Sequence, residues 1–235
     1  PPCLGLSTEE IDAAFAETPF ESVPSPTGVG FCLYIRRACL DEVGPFDEKR
    51  FGRGYGEEND FCQRARAAGW VNVVTPNVYV HHDGGVSFSS EKAGRIETAL
   101  KVLEELHPSY AAQVRTFVEQ DPLRQPRALR HLSLICRSER PRLLHVTHDL
   151  GGGVSQHVRE LGQMLFGKSA NLVLAPGSGD RLRLSLGTEE NSDFLLFRHS
   201  QFDRLIQFLR AVGLHGIHYH HTCGLPRRVL DLAPE

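Results

Sequence analysis

Glu57, Glu58 and Asp60 put three carboxylates within four residues, behind Gly54 and Gly56 and at the head of the amphipathic run ENDFCQRARAAG. Carboxylates at a helix N-terminus are stabilised by the helix dipole, and crowding like charges raises the pKa of at least one of them. A base that takes a proton from a hydroxyl near neutral pH needs that combination. The glycines let the backbone bend closely past a ligand. Arg64 follows Asp60 at i, i+4 and can pair with it on one helix face. The plain alternative is a solvated helix start.

Two further stretches could serve the same chemistry. VYVHHDGGVSF offers His81 and His82 at a strand end, followed by Gly85 and Ser87; a neutral imidazole beside carboxylates can meet manganese or magnesium, although magnesium prefers oxygen. PTGVGFCLYIRR offers Thr27, Gly28 and Gly30 before an apolar run, with Arg36 and Arg37 at its end. Either arginine could meet phosphate, but an ion pair with Asp41 or Glu42 is the simpler expectation. In VGPFDEKRFG, Phe46 is expected in the core and Asp47 as a cap orienting the loop that carries Tyr55.

Taken in this order, the motifs of residues 27–88 closely resemble those of family 2 glycosyltransferases of the GT-A fold, especially rhamnosyltransferase-like enzymes of bacterial polysaccharide synthesis. The resemblance implies inverting transfer of a sugar from a nucleotide-diphosphate donor to a saccharide or lipid-linked saccharide. It implies Glu58 as general base, with Glu57 in contention because most relatives carry Asp at the second position of the acidic pair. Asp60 would orient acceptor or backbone groups. Thr27, Gly28 and Gly30 would floor the acceptor site, joined by Tyr55, Gly56 and Arg64. His82, better spaced than His81, would help hold a divalent metal (Mn2+ or Mg2+), with Gly85 and Ser87 shaping the loop over the donor. The nucleotide-binding half, with its Asp-x-Asp, is expected upstream, so this stretch alone should not transfer sugar. The competing reading is a non-catalytic sugar-binding or scaffolding piece. A metal hydrolase would need close ligand spacing such as H-E-x-x-H, which is absent.

A second chemistry-bearing text lies further on. HVTHDLGGGVSQHVRELGQML sets glycines between a strand and a helix, where helix N-terminal amides can face an anion, though without a strict G-x-G-x-x-G. It resembles the opening of GT-B glycosyltransferases of the family 4 kind, with Gly151, Gly152, Gly153 and His157 matching. GIHYHH clusters His218, His220 and His221; on a strand the first two share a face and the third opposes them. Metal binding, ligand contact and packing all stay open for this cluster.

The elements that must position these groups follow from periodicity and punctuation. Helices are expected at STEEIDAAFAE, at RACLDEV ended by Gly44, at ENDFCQRARAA ended by Gly69, and, one or two of them, over 91–119 on the three-to-four spacing of Ile96, Leu100, Leu103 and Leu106. GFCLYIRR reads as a buried strand and VNVVTPNVYVHH as extended chain. Beyond 141, RLLHVTHDL, NLVLAPG, DFLLFRH and GIHYHH read as strands alternating with helices, hence a doubly wound parallel sheet. The expected class is α/β: a partial GT-A fold over 1–120, a linker over 121–141 with three prolines, and a Rossmann-like parallel half-domain of GT-B type over 142–235.

Composition is that of an ordinary globular chain: 235 residues, 40% hydrophobic, net charge -3, so bulk charge recruits no nucleic acid. The expected partners are a nucleotide-sugar donor and a saccharide or lipid-linked acceptor. Without an apolar run long enough to span a bilayer or a basic-then-apolar leader, the expected place is cytoplasmic, with peripheral attachment at the inner face of the cell membrane through a partner or lipid-linked substrate. Six cysteines without a C-x-x-C pair are expected as buried free thiols. The Pro-Pro start and the break within LDLAPE suggest an excerpt from a longer protein.

Overall fold

The computed structural model describes residues 4–17, 19–52, 55–82 and 92–232, the side chains of 92 and 93 excepted. The chain forms two compact units, one of residues 18–123 and one of residues 1–17 with 124–235. The first helix, α1 (Thr8–Glu17), belongs to the latter. Its start is a reciprocal capping box: the Ser7 amide donates to Glu10 Oε2 at 2.7 Å and the Glu10 amide to Ser7 Oγ at 3.2 Å.

Residues 18–123 are mostly helical. A two-residue strand β1 (Val23–Pro24) leads through a 3-10 turn at Gly30–Cys32 to α2 (Arg37–Val43), α3 (Glu48–Phe51) and α4 (Glu57–Ala67). Strand β2 (Val73–Val74) returns antiparallel to β1, and α5 (Lys92–Leu106) and α6 (Tyr110–Gln120) complete the unit. Gly44 and Gly69 end their helices at positive φ, 83° and 89°, as read from sequence. Cys39, Phe61 and Ala65 form a small core, with Ile35, Leu40, Val43, Phe46 and Trp70 packed around it. On α5 the buried residues are Ala99 and Leu103, whereas Leu100 is turned outward.

GFCLYIRR is not the buried strand expected. Phe31 and Tyr34 are exposed, Tyr34 by 90%, and Val71, Val73, Val78 and Val80 are exposed as well. A central strand needs hydrogen-bonded neighbours on both sides, and among the described residues the pairing in this unit is confined to β1 with β2.

The other unit is built on a five-stranded sheet: β3 (Arg142–Val146), β4 (Ala170–Pro176), β5 (Arg181–Ser185), β6 (Phe194–Arg198) and β7 (Gly216–Tyr219), in spatial order β6-β5-β4-β3-β7. Helix α7 (Arg124–Arg137) precedes it, α8 (Gly152–Met164) joins β3 to β4, and α9 (Phe202–Val212) joins β6 to β7. Only β4-β3-β7 is parallel; β5 and β6 run antiparallel, which corrects the doubly wound parallel expectation. The connections from β4 to β5 and from β5 to β6 are too short for a crossover helix, so they can only be hairpins. Leu144, Val146, Leu172, Leu174, Leu182, Leu184, Leu205 and Leu209 are fully buried, each contributing about 1.5–3 kcal/mol.

The expected linker 121–141 is in fact largely α7, a core helix. Pro126 sits in its first turn, where the missing N–H has no intrahelical partner to lose. Ala128, Leu132, Leu134 and Ile135 are buried. The guanidinium of Arg130, also buried, donates to the Ala14 carbonyl at 3.0 Å and lies over the Phe15 ring. Arg137 pairs with Glu17, and Ser138 Oγ donates to the Leu4 carbonyl at 2.8 Å. Of the described cysteines, all free, Cys39 and Cys62 are buried as expected, while Cys32, Cys136 and Cys223 are exposed. No helix among the described residues is long and apolar enough to cross a membrane.

Candidate functional site

The acidic cluster is set by Gly56, which caps α4 at φ 92°; a Cβ there would lie 2.8 Å from the Phe51 ring and 3.1 Å from Ala99. Glu57, Glu58 and Asp60 therefore occupy the first turn of α4. Helical phase turns Asp60 inward, where it is 3% exposed. Arg64 Nε donates to its Oδ2 at 2.7 Å, and His107 Nε2 meets its Oδ1 at 2.8 Å. The other Arg64 N–H groups donate to the carbonyls of Val43 and Pro45 at 2.8 and 2.9 Å. Both carboxylate oxygens of Asp60 are thus spent on holding α4 against the end of α2 and the residue that follows α5.

Glu57 and Glu58 remain half-buried at the surface. Three contacts lay residues 26–28 along α4: Gln63 Nε2 donates to the Pro26 carbonyl at 2.8 Å, the Thr27 hydroxyl to Asn59 Oδ1 at 2.7 Å, and the Gly28 amide to Cys62 Sγ at 3.2 Å. That places Gly30 beside Glu58, where a Cβ would sit 3.8 Å from the carboxyl group. Tyr110, at the start of α6, shares a hydrogen bond with Thr27 and lies in the field of Glu58; burial first, then the Glu58 charge, raises its pKa and keeps the phenol protonated. A carboxylate near a phenol and an open glycine suits a polyhydroxylated ligand.

The remaining expected residues are less convergent. Tyr55 is half-buried just before Gly56. His82 is exposed and stacks on Phe31, ring centroids 4.5 Å apart. Gly54, Gly85 and Ser87 lie outside the described residues. Asp47 caps α3, accepting from the Arg50 amide at 3.1 Å, and Phe46 packs edge-on against Phe61. Arg37 faces Asp41 at 4.0 Å, and Arg36 lies over Trp70, whose Nε1 donates to Glu42. A cavity of about 650 Å³ in this unit is lined by Pro26, Trp70, Asn72, Gln113 and Phe117 among others, and Glu58 is not part of its wall. Sequence reasoning missed Asn59, His107 and Tyr110; the only signal for the last two was their spacing of three across the helix break HPSY.

A second concentration of polar groups lies at the carboxyl ends of β3 and β7. The chain leaves β3 toward β4 on one side, while β7 arrives on the other. Such a switch point opens a crevice outside a parallel sheet. His145 is buried on the face of β3 opposite Leu144 and Val146, and it pairs in register with His218. Its Nδ1 is 3.1 Å from His220 Nε2, and its Nε2 is 3.2 Å from Asn171 Oδ1. The His218 and His220 rings are 3.8 Å apart, as their shared face predicts. His157, on α8, has its ring 5.5 Å from that of His220. Burial, then repulsion from the neighbouring imidazoles, lowers the pKa of both inner imidazoles: His145 falls, and His220 drops to about 4. Gly151 and Gly152 enter α8 at φ 72° each, and no heavy atom lies within 4 Å of a Cβ built at Gly152 or Gly153.

No known family profile matches the chain, and no solved structure is detectably similar. Over 85 residues, 35% of this chain and 27% of the relative, it is 33% identical to the N-acetylglucosaminyl-diphospho-decaprenol L-rhamnosyltransferase of Mycobacterium tuberculosis strain CDC 1551 / Oshkosh. The same figures hold for the protein of that name from strain H37Rv. The chain spans about a quarter of the length of these curated relatives, 27%. This partial likeness supports a glycosyltransferase family and a general glycosyltransferase role.

Proposed function

We propose that residues 27–88 form the acceptor-activating part of an inverting glycosyltransferase of the GT-A kind. The complete protein moves a sugar from a nucleotide-diphosphate donor to a saccharide or lipid-linked saccharide, in building a bacterial surface polysaccharide at the inner face of the membrane. The observation that carries this reading is the separation of roles among the carboxylates. Asp60 is locked between Arg64 and His107, while Glu58 stands at the surface beside Gly30 and close enough for its charge to reach Tyr110.

In this reading the Glu58 carboxylate takes the proton of the acceptor hydroxyl as that oxygen bonds to the anomeric carbon. The bond from that carbon to the donor diphosphate breaks, the diphosphate leaves with the electron pair, and the configuration inverts. Thr27 and Tyr110 hold the acceptor through their hydroxyls. A divalent metal, when bound, would steady the diphosphate charge, with His82 as its proposed imidazole partner. The described residues around His82 do not build a metal cage of their own. Residues 142–235, with Gly152, Gly153 and His157, are proposed as the acceptor-side start of a GT-B module.

The test is Glu58→Gln in the complete protein, assayed with nucleotide sugars and a lipid-linked acceptor. Transfer should fall by about 10²–10⁴ while donor binding and its metal dependence stay unchanged. Activity within about tenfold of the parent would remove Glu58 as the base. Donor and acceptor binding with no turnover in the parent would favour the non-catalytic binding reading.

A further inference from the structure

We propose that His145, His218 and His220 form a zinc site at the carboxyl ends of β3 and β7, with its fourth coordination position open on the side of His157. One ring nitrogen of each of the three lies within 4.8 Å of the others. In a tetrahedral site with Zn–N bonds of about 2.0–2.1 Å, ligand nitrogens sit about 3.3–3.4 Å apart. His145 Nδ1 and His220 Nε2, at 3.1 Å, are within about 0.3 Å of that spacing. His218 is exposed, so a change of rotamer closes the third distance without disturbing the core.

The surroundings favour ligation over a chance cluster. Asn171 Oδ1, an acceptor that also takes the Ser169 hydroxyl at 3.2 Å, faces His145 Nε2. His145 therefore donates from Nε2 and presents the Nδ1 lone pair to the site. A hydrogen bond to the far nitrogen that fixes tautomer and ring orientation is the usual outer shell of a metal-bound histidine. The backbone is equally fixed: His145 and His218 are register partners in a parallel pair, and the His220 amide donates to the Val146 carbonyl at 2.9 Å.

The donor set also selects the ion. Three imidazoles without a carboxylate suit zinc and its neighbours, whereas magnesium and manganese prefer oxygen. The site is therefore chemically distinct from the divalent ion proposed at His82. It lies in the other unit and stands whether or not the glycosyltransferase reading does. An open fourth position would take water or an anionic oxygen.

The experiment uses the purified chain, freed of any histidine tag and stripped with chelator, then titrated with zinc chloride against a chromogenic competitor. One equivalent should bind with Kd below about 10⁻⁶ M. Cobalt in place of zinc should give the visible absorption of a four-coordinate nitrogen-ligated ion. His218→Ala and His220→Ala, which spare the buried His145, should each weaken zinc by about 100-fold or more, and Asn171→Ala by about 10–100-fold. Circular dichroism establishes that each variant is folded. His221→Ala and His199→Ala should leave the affinity unchanged. Absence of stoichiometric binding, or binding that survives both His218→Ala and His220→Ala, or an equal loss in the two control variants, overturns the proposal.

Discussion

The two units position their polar groups by different means. In residues 142–235 the imidazoles are placed by backbone register: His145 opposite His218, and His220 tied to Val146 through its amide. In residues 18–123 the carboxylates are placed by side chains, through Arg64 and His107 on Asp60, Thr27 on Asn59, and Gln63 on the Pro26 carbonyl. A sheet keeps its register when one side chain is lost. A side-chain network does not, because each member holds the others.

The sharpest way to break that comparison is Asp60→Ala. Removing one partner of a buried ion pair costs on the order of 3–5 kcal/mol, and Arg64 retains its carbonyl contacts, so the lower end is expected. Hydrogen exchange should show the loss of protection concentrated in α4, α2 and the end of α5. Equal loss across β3, β4 and β7 would show that the network is not local to its unit.

A smaller effect is expected from Gly162→Ala in α8, where a Cβ would stand 1.7 Å from Thr188 Oγ1. The overpacked contact should cost about 1–3 kcal/mol in urea unfolding while leaving strand pairing intact. A variant as stable as the parent would mean that the 188 loop yields freely. Smallest is the response to acid. Burial pulls His131, His145 and His220 below the ordinary imidazole value. Between about pH 6.5, where unfolded histidine titrates, and about 4, where folded His220 does, the unfolded chain binds more protons. Stability held above that window is therefore lost as pH falls through it. The unfolding midpoint of the chelator-treated chain should fall from pH 7 to pH 5; a constant midpoint contradicts the burial argument.

The same contrast explains what could be read from sequence. Helix ends at Gly44 and Gly69, the Asp60–Arg64 pair and the shared face of His218 and His220 follow from period and spacing alone, which are local. Strand β5 is absent from the expected strands, and two of the five residues of RLRLS are arginine, yet alternation buries Leu182 and Leu184. The segment 121–141 misled in the opposite sense: its prolines and arginines resemble a linker, but Pro126 is harmless in a first turn and Arg130 finds a carbonyl and a ring on α1. Tyr110 and His107 were illegible because they reach Glu58 and Asp60 across more than forty residues of chain, and no spacing rule spans that distance.

Strand β7 carries a further consequence. Its four residues alternate between faces, so Tyr219 turns away from His218 and His220; its hydroxyl meets the carbonyls of Val229 and Leu232 at 2.9 and 2.8 Å. One short strand therefore serves as both imidazole rack and anchor for the segment after it. Such a strand can be lengthened or shortened by two residues and keep both duties, but not by one. A single deletion ahead of Gly216 would aim a histidine at Val229 and the tyrosine at His145, exchanging the two faces in one step.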